Sequence, residues 1–413
     1  MRALLFREDP QFWFETLRLL GHAAFGGSDI GEVIATAEGI TPGDYDAWHD
    51  AWLGTGERIA AEATRSRAGG HRVSARDGFL RASTYYRAAE FFLHENPDDP
   101  RVSNAYERSV DCFHAFAALS DPVVEPVEIP YEGTVLRGYF YRARGSAGQC
   151  PTIVLHNGFD GSAEEMHFFG AAAGIERGYH VLTFDGPGQP SAIHRERLVL
   201  RPDWENVVGP VLDHLASRPE VDAARIALLG LSLGGMLAPR AAAFDSRIAA
   251  VVAVDGVYGA SVPLHQPIPL PYAEIVRRAD AATDPELDRI LDTAISESPT
   301  LRWAFGHGRY VTGTGSPREF LAAYMKFNLF DGVAEKIACP TLVCKADQDL
   351  FFAGGDGIEP EPDRLYERLT CPKTFLCFTA AEGADAHCHS GAQRLALGRI
   401  YDWLDTVLSA AAA

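Results

Sequence analysis

Apolar residues recur at helical spacing through roughly the first 120 residues of the chain. The two clearest runs are Phe12, Phe14, Leu17, Leu19 and Leu20, followed by Phe79, Leu80, Tyr85, Tyr86, Phe91, Phe92 and Leu93. Glycine or proline interrupts the pattern at residues 26–28, 41–44, 69–70 and 97–100. The pattern predicts a row of helices, one of which begins with Thr41 as N-cap and Pro42 in its first turn.

From Val123 onward the pattern changes to strands. Residues 124–131 and 135–141 predict two strands joined by a tight turn at Glu132-Gly133. Further apolar runs of strand length then alternate with helical patterns, at residues 152–155, 179–184, 226–229, 248–254, 341–344 and 374–378. Because strands that are buried on both faces are continuously apolar, we predict an α/β fold with a mostly parallel, doubly wound sheet.

These two patterns predict two domains. The first is a helical domain over residues 1–122, and the second is an α/β domain over residues 123–413. A mostly helical segment punctuated by prolines, from about residue 260 to 335, interrupts the strand–helix alternation. We expect this insertion to help cover a site on the sheet.

Composition narrows the function classes. The chain has 413 residues and a formal net charge of −19, which argues against nucleic acid or an anionic membrane surface as a partner. Its seven cysteines are scattered without C-x-x-C spacing, which favours a reducing cytoplasm and no structural zinc. No apolar stretch approaches the length of a membrane span, and charged residues from Arg7 onward leave no visible signal peptide. We therefore expect a cytoplasmic protein.

The stretch from Gly230 to Gly235 carries the clearest chemical signal. It contains a G-x-S-x-G pattern centred on Ser232, between a strand-like run at residues 225–229 and a helix-forming run at 236–243. A strand that turns sharply into a helix through this pattern is the nucleophile elbow of α/β-hydrolases. The turn is strained, and a Cβ at Gly230 or Gly234 would collide with neighbouring backbone. Ser232 is therefore the candidate nucleophile.

A serine needs a base and a carboxylate, which follow it in the chain order Ser, acid, His in this fold. After the last predicted strand the histidines are His387 and His389, and we favour His387. The acid is expected just after residues 341–344, which leaves Asp347 and Asp349. The A-x-x-D spacing favours Asp349.

The oxyanion that forms in such a reaction needs two backbone N–H groups. We expect one from Leu233, directly after the nucleophile, and one from Phe159, in the turn after the strand at residues 152–155. Gly158 gives that turn its backbone freedom. Asp255, which ends the strand at residues 248–254, is a possible second acid. The sequence shows no G-x-G-x-x-G, P-loop, H-E-x-x-H or other metal-ligand pattern, so we expect no cofactor and no metal.

Beyond the elbow, several stretches resemble one branch of the α/β-hydrolases, which includes 2,6-dihydroxypseudooxynicotine hydrolase and the fungal pigment hydrolases that shorten a naphthopyrone by retro-Claisen cleavage. These stretches are residues 85–92, residues 157–161 with Glu164-Glu165, residues 184–189, the elbow, residues 339–349 and residues 382–388. The resemblance spans nearly the full length and is most specific at His387-Cys388. It implies an α/β-hydrolase fold, an N-terminal helical cap, a homodimer, and a triad of Ser232, Asp349 and His387.

The resemblance also implies a class of reaction. We expect serine-dependent hydrolysis of an activated acyl-type bond, either an ester or the C–C bond of a β-diketone-like aromatic or polyketide-type small molecule. The same triad would serve an acyltransferase or a cyclase, which is the main alternative. A peptidase and a non-catalytic scaffold are further alternatives, and an intact Ser–acid–His order speaks against the scaffold.

Overall fold

The N-terminal part of the protein is helical. A computed structural model describes residues 3–145, 148–266, 268–354 and 358–410. Its first five helices are α1 (Pro10–His22), α2 (Ile30–Ala37), α3 (Tyr45–Ala68), α4 (Arg72–Glu90) and α5 (Pro100–Leu119). Aspartates cap four of them: Asp9 accepts from Phe12 N at 3.0 Å, Asp29 from Gly31 N at 3.2 Å, Asp44 from Ala47 N at 2.9 Å, and Asp99 from Arg101 N at 2.9 Å.

The predicted start of the third helix is wrong by three residues. Thr41 is not the N-cap, since α3 begins at Tyr45 and the Asp44 carboxylate accepts from the backbone N–H of Ala47 in its first turn. Gly43 has a φ of +75°, a left-handed conformation that ends any helix begun at Pro42. A carboxylate directly before the helical residues therefore sets the boundary.

Eight strands form one sheet. They are β1 (Glu125–Tyr131), β2 (Thr134–Tyr141), β3 (Cys150–His156), β4 (His180–Phe184), β5 (Val221–Leu231), β6 (Ile248–Val254), β7 (Thr341–Ala346) and β8 (Lys373–Phe378). Their order is β1-β2-β4-β3-β5-β6-β7-β8, with β1 antiparallel to β2, β2 antiparallel to β4, and all remaining pairs parallel. The predicted α/β class and the mostly parallel sheet are confirmed.

The remaining helices connect these strands. Between the strands up to β6, and after β7, lie α6 (Ala171–Glu176), α7 (Pro190–Glu196), α8 (Glu205–Ala216), α9 (Gly234–Phe244), α15 (Glu361–Arg368) and α16 (Gln393–Ala410). Between β6 and β7 lie α10 (Val262–His265), α11 (Tyr272–Ala279), α12 (Pro285–Glu297), α13 (Pro299–Thr312) and α14 (Pro317–Tyr324). We call residues 255–340 the β6–β7 segment.

One apolar core joins the N-terminal helices to the sheet. It contains Trp48, Trp52 and Tyr85 from the helices, together with Phe140 and Phe184 from the strands, all at most 1% exposed. Burying large aromatic side chains together removes much apolar surface from water, so the two parts stabilise each other. No helix among the described residues is long and apolar enough to cross a membrane.

The parallel strands also determine where chemistry can take place. The carboxyl ends of β3, β5, β6 and β7 lie at one edge of the sheet. The residues that directly follow β3, β5, β6 and β7 are, in that order, Asn157, Ser232, Asp255 and Asp347. In open α/β sheets, ligands bind outside this edge.

Candidate active site

The elbow places Ser232 on a strained turn between β5 and α9. Ser232 has a φ of +59°, a left-handed conformation that is uncommon for a residue with a side chain. As predicted, a Cβ added to Gly230 would overlap the carbonyl of Gly234, and one on Gly234 would lie 2.9 Å from Asn157 O. No side chain caps α9, so its first N–H groups remain at the turn beside Ser232. The serine is thus held at the N-terminal, electropositive end of a helix.

Asp349 and His387 form a hydrogen-bonded pair. His387 Nδ1 lies 2.9 Å from Asp349 Oδ2. The other carboxylate oxygen, Oδ1, accepts from the backbone N–H groups of Phe351 at 2.7 Å and Phe352 at 3.1 Å. Since a carboxylate can only accept here, Nδ1 carries the proton and Nε2 of a neutral His387 is free to act as a base.

A second carboxylate faces the same imidazole nitrogen. Asp255 Oδ2 lies 3.0 Å from His387 Nδ1 and also accepts from Cys388 N. Among the described residues, Asp255 Oδ1 has no hydrogen-bond partner, although the side chain is fully buried. Asp255 has a φ of +54°, so its backbone too is in the left-handed region. The predicted second acid therefore lies beside the predicted triad acid.

The two carboxylates shift the protonation of this group. Burial by itself lowers the pKa of His387, but Asp349 and Asp255 outweigh it and raise that pKa well above its ordinary value. Burial opposes ionisation of Asp255 as well, yet the neighbouring His387 lowers the pKa of this carboxyl group. The imidazolium form of His387 is therefore strongly stabilised, as a base that takes up a proton during reaction requires.

The two alternatives from the sequence point elsewhere. Asp347 Oδ1 lies 3.0 Å from the Sγ of Cys377, an exposed residue on β8. His389 is buried, its Nδ1 lies 3.1 Å from Ala384 O, and its ring packs on Phe378 at 4.0 Å between centroids. The structure brings Asp349 and His387 together and leaves Asp347 and His389 outside this pair.

The loop after β3 lies against the elbow. A Cβ on Gly158 would lie 2.8 Å from Leu233 N and 2.9 Å from Ser232 Cβ, so only glycine permits this approach. The two predicted oxyanion donors, Leu233 and Phe159, therefore belong to adjoining pieces of backbone.

Side chains from outside the loop hold four successive carbonyl groups of this loop. Gln189 Nε2 donates to the carbonyls of Asn157 and Gly158, each at 3.0 Å. His307 Nε2 donates to the carbonyl of Phe159 at 2.9 Å, and Arg87 Nη2 to that of Asp160 at 2.7 Å. In a trans peptide the C=O and the next N–H point in opposite directions, so holding the Gly158 carbonyl orients the Phe159 N–H.

Sequence reasoning missed these three holding residues. Gln189 stands in the 184–189 stretch that carries part of the family resemblance, which was its only signal. His307 precedes the acid in the chain and so fails the order that applies to a triad. Arg87 stands in the 85–92 stretch of the same resemblance, but it lies in helix α4, where a charged residue usually marks a solvated face.

Ser232, Asp349 and His387 all line one cavity of about 580 Å³. This volume lies within the range of about 300–1,000 Å³ that is typical of small-molecule sites. Aromatic side chains from three regions line it as well: Phe14 of α1, Trp303 and Tyr324 of the β6–β7 segment, and Phe351 after β7. Helix α1 and the β6–β7 segment thus both contribute to the lining of a mostly apolar cavity that Ser232 also lines.

A buried ionic cluster forms the wall of the cavity on the α1 side. Arg18 Nε donates to Glu165 Oε1 at 2.6 Å, and Arg18 Nη1 lies 3.2 Å from Asp160 Oδ1. Glu15 is 3.4 Å from the same guanidinium, and burial, the leading cause, raises the pKa of Glu15 to about 8. Arg18 therefore connects α1 to the loop after β3 through charges that are shielded from water.

Comparisons with known proteins agree with this architecture. The sequence profile of the alpha/beta hydrolase family matches residues 153–405. "Hydrolase LUC6" from Fusarium sp is 37% identical over 413 residues, which cover 95% of this chain and 96% of that protein. "20-hydroxy-prefusarin hydrolase FUS2" from Gibberella moniliformis is 34% identical over 421 residues, covering 96% of each.

The solved structures give the same answer for the fold. The crystal structure of 2,6-dihydroxy-pseudo-oxynicotine hydrolase superposes with a TM-score of 0.70 at 24% sequence identity, covering 94% of this chain and 96% of that one. The resemblance inferred from the sequence is confirmed, and so is the prediction of a hydrolase-type enzyme. The chain therefore belongs to the alpha/beta hydrolase family.

Proposed function

We propose that this protein is a serine hydrolase that cleaves an activated acyl-type bond of a small aromatic or polyketide-type molecule. The bond is an ester or the C–C bond of a β-diketone-like group. The observation that carries the proposal is the hydrogen bond of 2.9 Å between His387 and Asp349, in the cavity that Ser232 also lines. Ser232, Asp349 and His387 also occur along the chain in the order nucleophile, acid, base that is usual for this fold.

The first half of the reaction forms an acyl-enzyme. Neutral His387 takes the proton of Ser232 at Nε2 while the serine oxygen attacks the substrate carbonyl. The N–H groups of Leu233 and Phe159 stabilise the oxyanion of the tetrahedral intermediate. Collapse of this intermediate breaks the acyl bond, and His387 returns its proton to the departing alkoxide or to the departing enolate carbon.

The second half of the reaction regenerates the enzyme. His387 deprotonates a water molecule, and the resulting hydroxide adds to the acyl-enzyme. The tetrahedral intermediate then expels the Ser232 oxygen, which takes the proton back from His387, and a carboxylic acid is released. Asp349 and Asp255 both stabilise the imidazolium form of His387 that occurs twice in the cycle. We assign Asp349 the role of triad acid, since backbone N–H groups hold it in place, and Asp255 that of second acid.

The lining of the cavity supports an aromatic substrate. Phe14, Trp303, Tyr324 and Phe351 offer ring faces and edges on which a planar molecule can stack. A relative with 34% identity is named for hydrolysis of 20-hydroxy-prefusarin, which supports a substrate of natural-product size. We propose that the N-terminal helices act as a cap that admits this substrate.

The enclosed site also supports a second candidate function. An apolar cavity that excludes water would let a hydroxyl, amine or carbanion of a substrate intercept the acyl-enzyme, giving acyl transfer or cyclisation. Product analysis with and without an added nucleophile separates the two reactions. A free carboxylic acid in both arms indicates hydrolysis, whereas a new ester, amide or ring indicates transfer.

The proposal is tested with a fluorophosphonate probe and a panel of aryl esters and aryl 1,3-diketones. We expect the probe to label wild-type protein and the His389→Ala variant, but not Ser232→Ala, and His387→Ala to lose turnover while His389→Ala keeps it. Absence of labelling at Ser232, while a control serine hydrolase in the same tube reacts, would contradict the nucleophile. Loss of turnover in His389→Ala alone would contradict the base.

A further inference from the structure

A second group of chemically active side chains is connected through His307 to the Phe159 carbonyl. Glu90 ends α4, His94 follows it by four residues, and His194 lies in α7. Their side chains are at most 7% exposed, and one ligand atom from each lies within 4.8 Å of the others. None of the three lines the cavity of Ser232. The cluster is therefore separate from the site described above.

The hydrogen bonds of the cluster form a chain that ends at the loop after β3. Glu90 Oε2 lies 2.9 Å from His94 Nε2 and 3.5 Å from His194 Nε2. His94 Nδ1 lies 2.8 Å from His307 Nδ1, and His307 Nε2 donates to the carbonyl of Phe159. On the other branch, His194 Nδ1 lies 2.7 Å from the hydroxyl of Tyr310.

The hydrogen bonds of this chain leave one position that a cation can fill. Both of its ends, the Phe159 carbonyl and the ionised Glu90 carboxylate, accept hydrogen bonds. One proton is needed at each end and a third between His94 and His307, whereas two neutral imidazoles supply two. The remaining position, between Glu90 and His94 Nε2, is filled either by one more proton or by a metal ion bound to both groups.

We propose that Glu90, His94 and His194 bind a divalent transition-metal ion of the Zn²⁺ type. Two imidazole nitrogens and one carboxylate oxygen are a ligand set that zinc commonly takes in proteins. In a tetrahedral zinc site neighbouring ligand atoms are about 3.3 Å apart, and the two contacts of Glu90 Oε2, 2.9 Å and 3.5 Å, lie on either side of that spacing. The carboxylate oxygen thus lies near ligand spacing from both histidines, and all three ligand atoms lie within 4.8 Å of one another.

The surrounding residues fit a metal as well. With an ion on each Nε2, His94 Nδ1–H donates to His307 and His194 Nδ1–H donates to the Tyr310 hydroxyl. Metal-bound histidines almost always donate their second ring N–H in this way, which fixes the ring and its tautomer. The ion would connect α4 and α7 directly, and through His307 and Tyr310 it would reach α13. Its role is structural, since it holds the Phe159 carbonyl through one imidazole.

No sequence pattern indicated this site, since 100 residues separate His94 from His194. Metal-ligand patterns are recognised by short spacings, and here only Glu90 and His94 are close in the chain, at i and i+4. The site does not depend on the reaction proposed for Ser232. Metal binding can therefore be measured without a substrate.

The test uses full-length protein treated with EDTA, re-equilibrated with Zn²⁺ or Co²⁺, desalted and analysed for bound metal. We expect one equivalent in wild type and in Ser232→Ala. Glu90→Gln and His194→Gln should each lose more affinity than the roughly 10–100-fold that follows removal of an outer-shell partner. His167→Gln is the matched control, since His167 is also a buried histidine but belongs to no such group.

Cobalt spectra keep the test decisive if a variant fails to fold. Co²⁺ held by two histidines and a glutamate gives visible d–d bands without a sulfur charge-transfer band. A sulfur charge-transfer band would instead place the ion at Asp255, His387 and Cys388. These residues form the second such group of ligand atoms within 4.8 Å of one another among the described residues. That result would overturn the proposal, as would wild-type protein that retains no stoichiometric metal, in which case the cluster holds a proton. Undiminished binding in both Glu90→Gln and His194→Gln would overturn it too.

Discussion

Replacing Asp255 with asparagine removes one of the two carboxylates that face His387. The change keeps the shape of the side chain and an oxygen that can accept from Cys388 N. It also suits the backbone, because asparagine tolerates the left-handed conformation that residue 255 adopts, at a φ of +54°. The substitution therefore tests charge with little disturbance of packing.

The expected effect is a lower pKa of His387. Asp255 Oδ2 is 3.0 Å from His387 Nδ1, and an opposite charge at this range shifts a pKa by about 1–3 units, or about 1.4–4 kcal/mol. Asp349 and the Cys388 thiol remain beside the imidazole and continue to act on it. Since His387 must be neutral to accept the proton of Ser232, activity rises with pH through this pKa. Removing Asp255 should move that rise toward lower pH.

The assay is the pH profile of kcat/KM on an aryl ester. We expect the acidic limb of Asp255→Asn to lie about 1–3 pH units below that of wild type. The plateau should also fall, because the imidazolium formed during reaction loses one of its two carboxylates. Asp347→Asn makes the same chemical change at a residue that bonds Cys377 instead, and should leave the limb in place. An acidic limb that stays fixed or moves upward in Asp255→Asn would refute the reasoning.

Three further outcomes follow from the contacts around the cavity. Gln189→Leu removes the hydrogen bonds to the carbonyls that orient the Phe159 N–H. We expect kcat to fall by up to the roughly 10²–10³-fold that loss of one oxyanion donor costs, with little change in KM. Gln393→Leu is the control, since that buried amide has no described hydrogen-bond partner, and an equal loss of kcat in both variants would contradict the assignment. Arg18→Met leaves buried carboxylates unpaired and should lower the free energy of unfolding by about 3–5 kcal/mol in urea titrations, whereas an unchanged midpoint would count against it. Glu15 has a folded-state pKa of about 8 against an ordinary 4.5, so it binds its proton more tightly when folded and its stabilising effect is lost as pH rises through about 8. Glu15→Gln should therefore flatten the decline of the free energy of unfolding between pH 5 and 8. If urea titrations at several pH values give the same slope as wild type, the raised pKa of Glu15 is excluded.

The fold was predictable because its signals are local and periodic. Continuously apolar runs of strand length, separated by helical patterns, correctly predicted the strands of the sheet. The elbow was equally visible, since G-x-S-x-G must stand between a strand and a helix for Ser232 to reach its strained φ. Chain order then led to Asp349 and His387, whose pairing the structure displays and whose roles remain predictions.

The supporting contacts were not predictable, because side chains make them across long separations. Gln189 reaches a carbonyl 31 residues away and His307 one that is 148 residues away, and no spacing along the chain encodes either contact. The wrong N-cap at Thr41 has a different cause. Thr41 followed by Pro42 fits the pattern of a helix start, whereas the residue that caps α3 is Asp44, whose carboxylate accepts from Ala47 N.

The four held carbonyls of the loop after β3 have a consequence for how activity arises during folding. Their donors come from three parts of the chain: Arg87 from α4, Gln189 from the turn before α7, and His307 from α13. A chain that has formed the sheet and the elbow, but has not yet docked α4 and α13, has its nucleophile in place. The loop after β3, which would supply a backbone N–H to the oxyanion, is then not yet held in its final orientation. Under the proposed mechanism, hydrolytic activity is then acquired only when α4 and α13 dock. A half-assembled chain would therefore hydrolyse few other compounds in its surroundings.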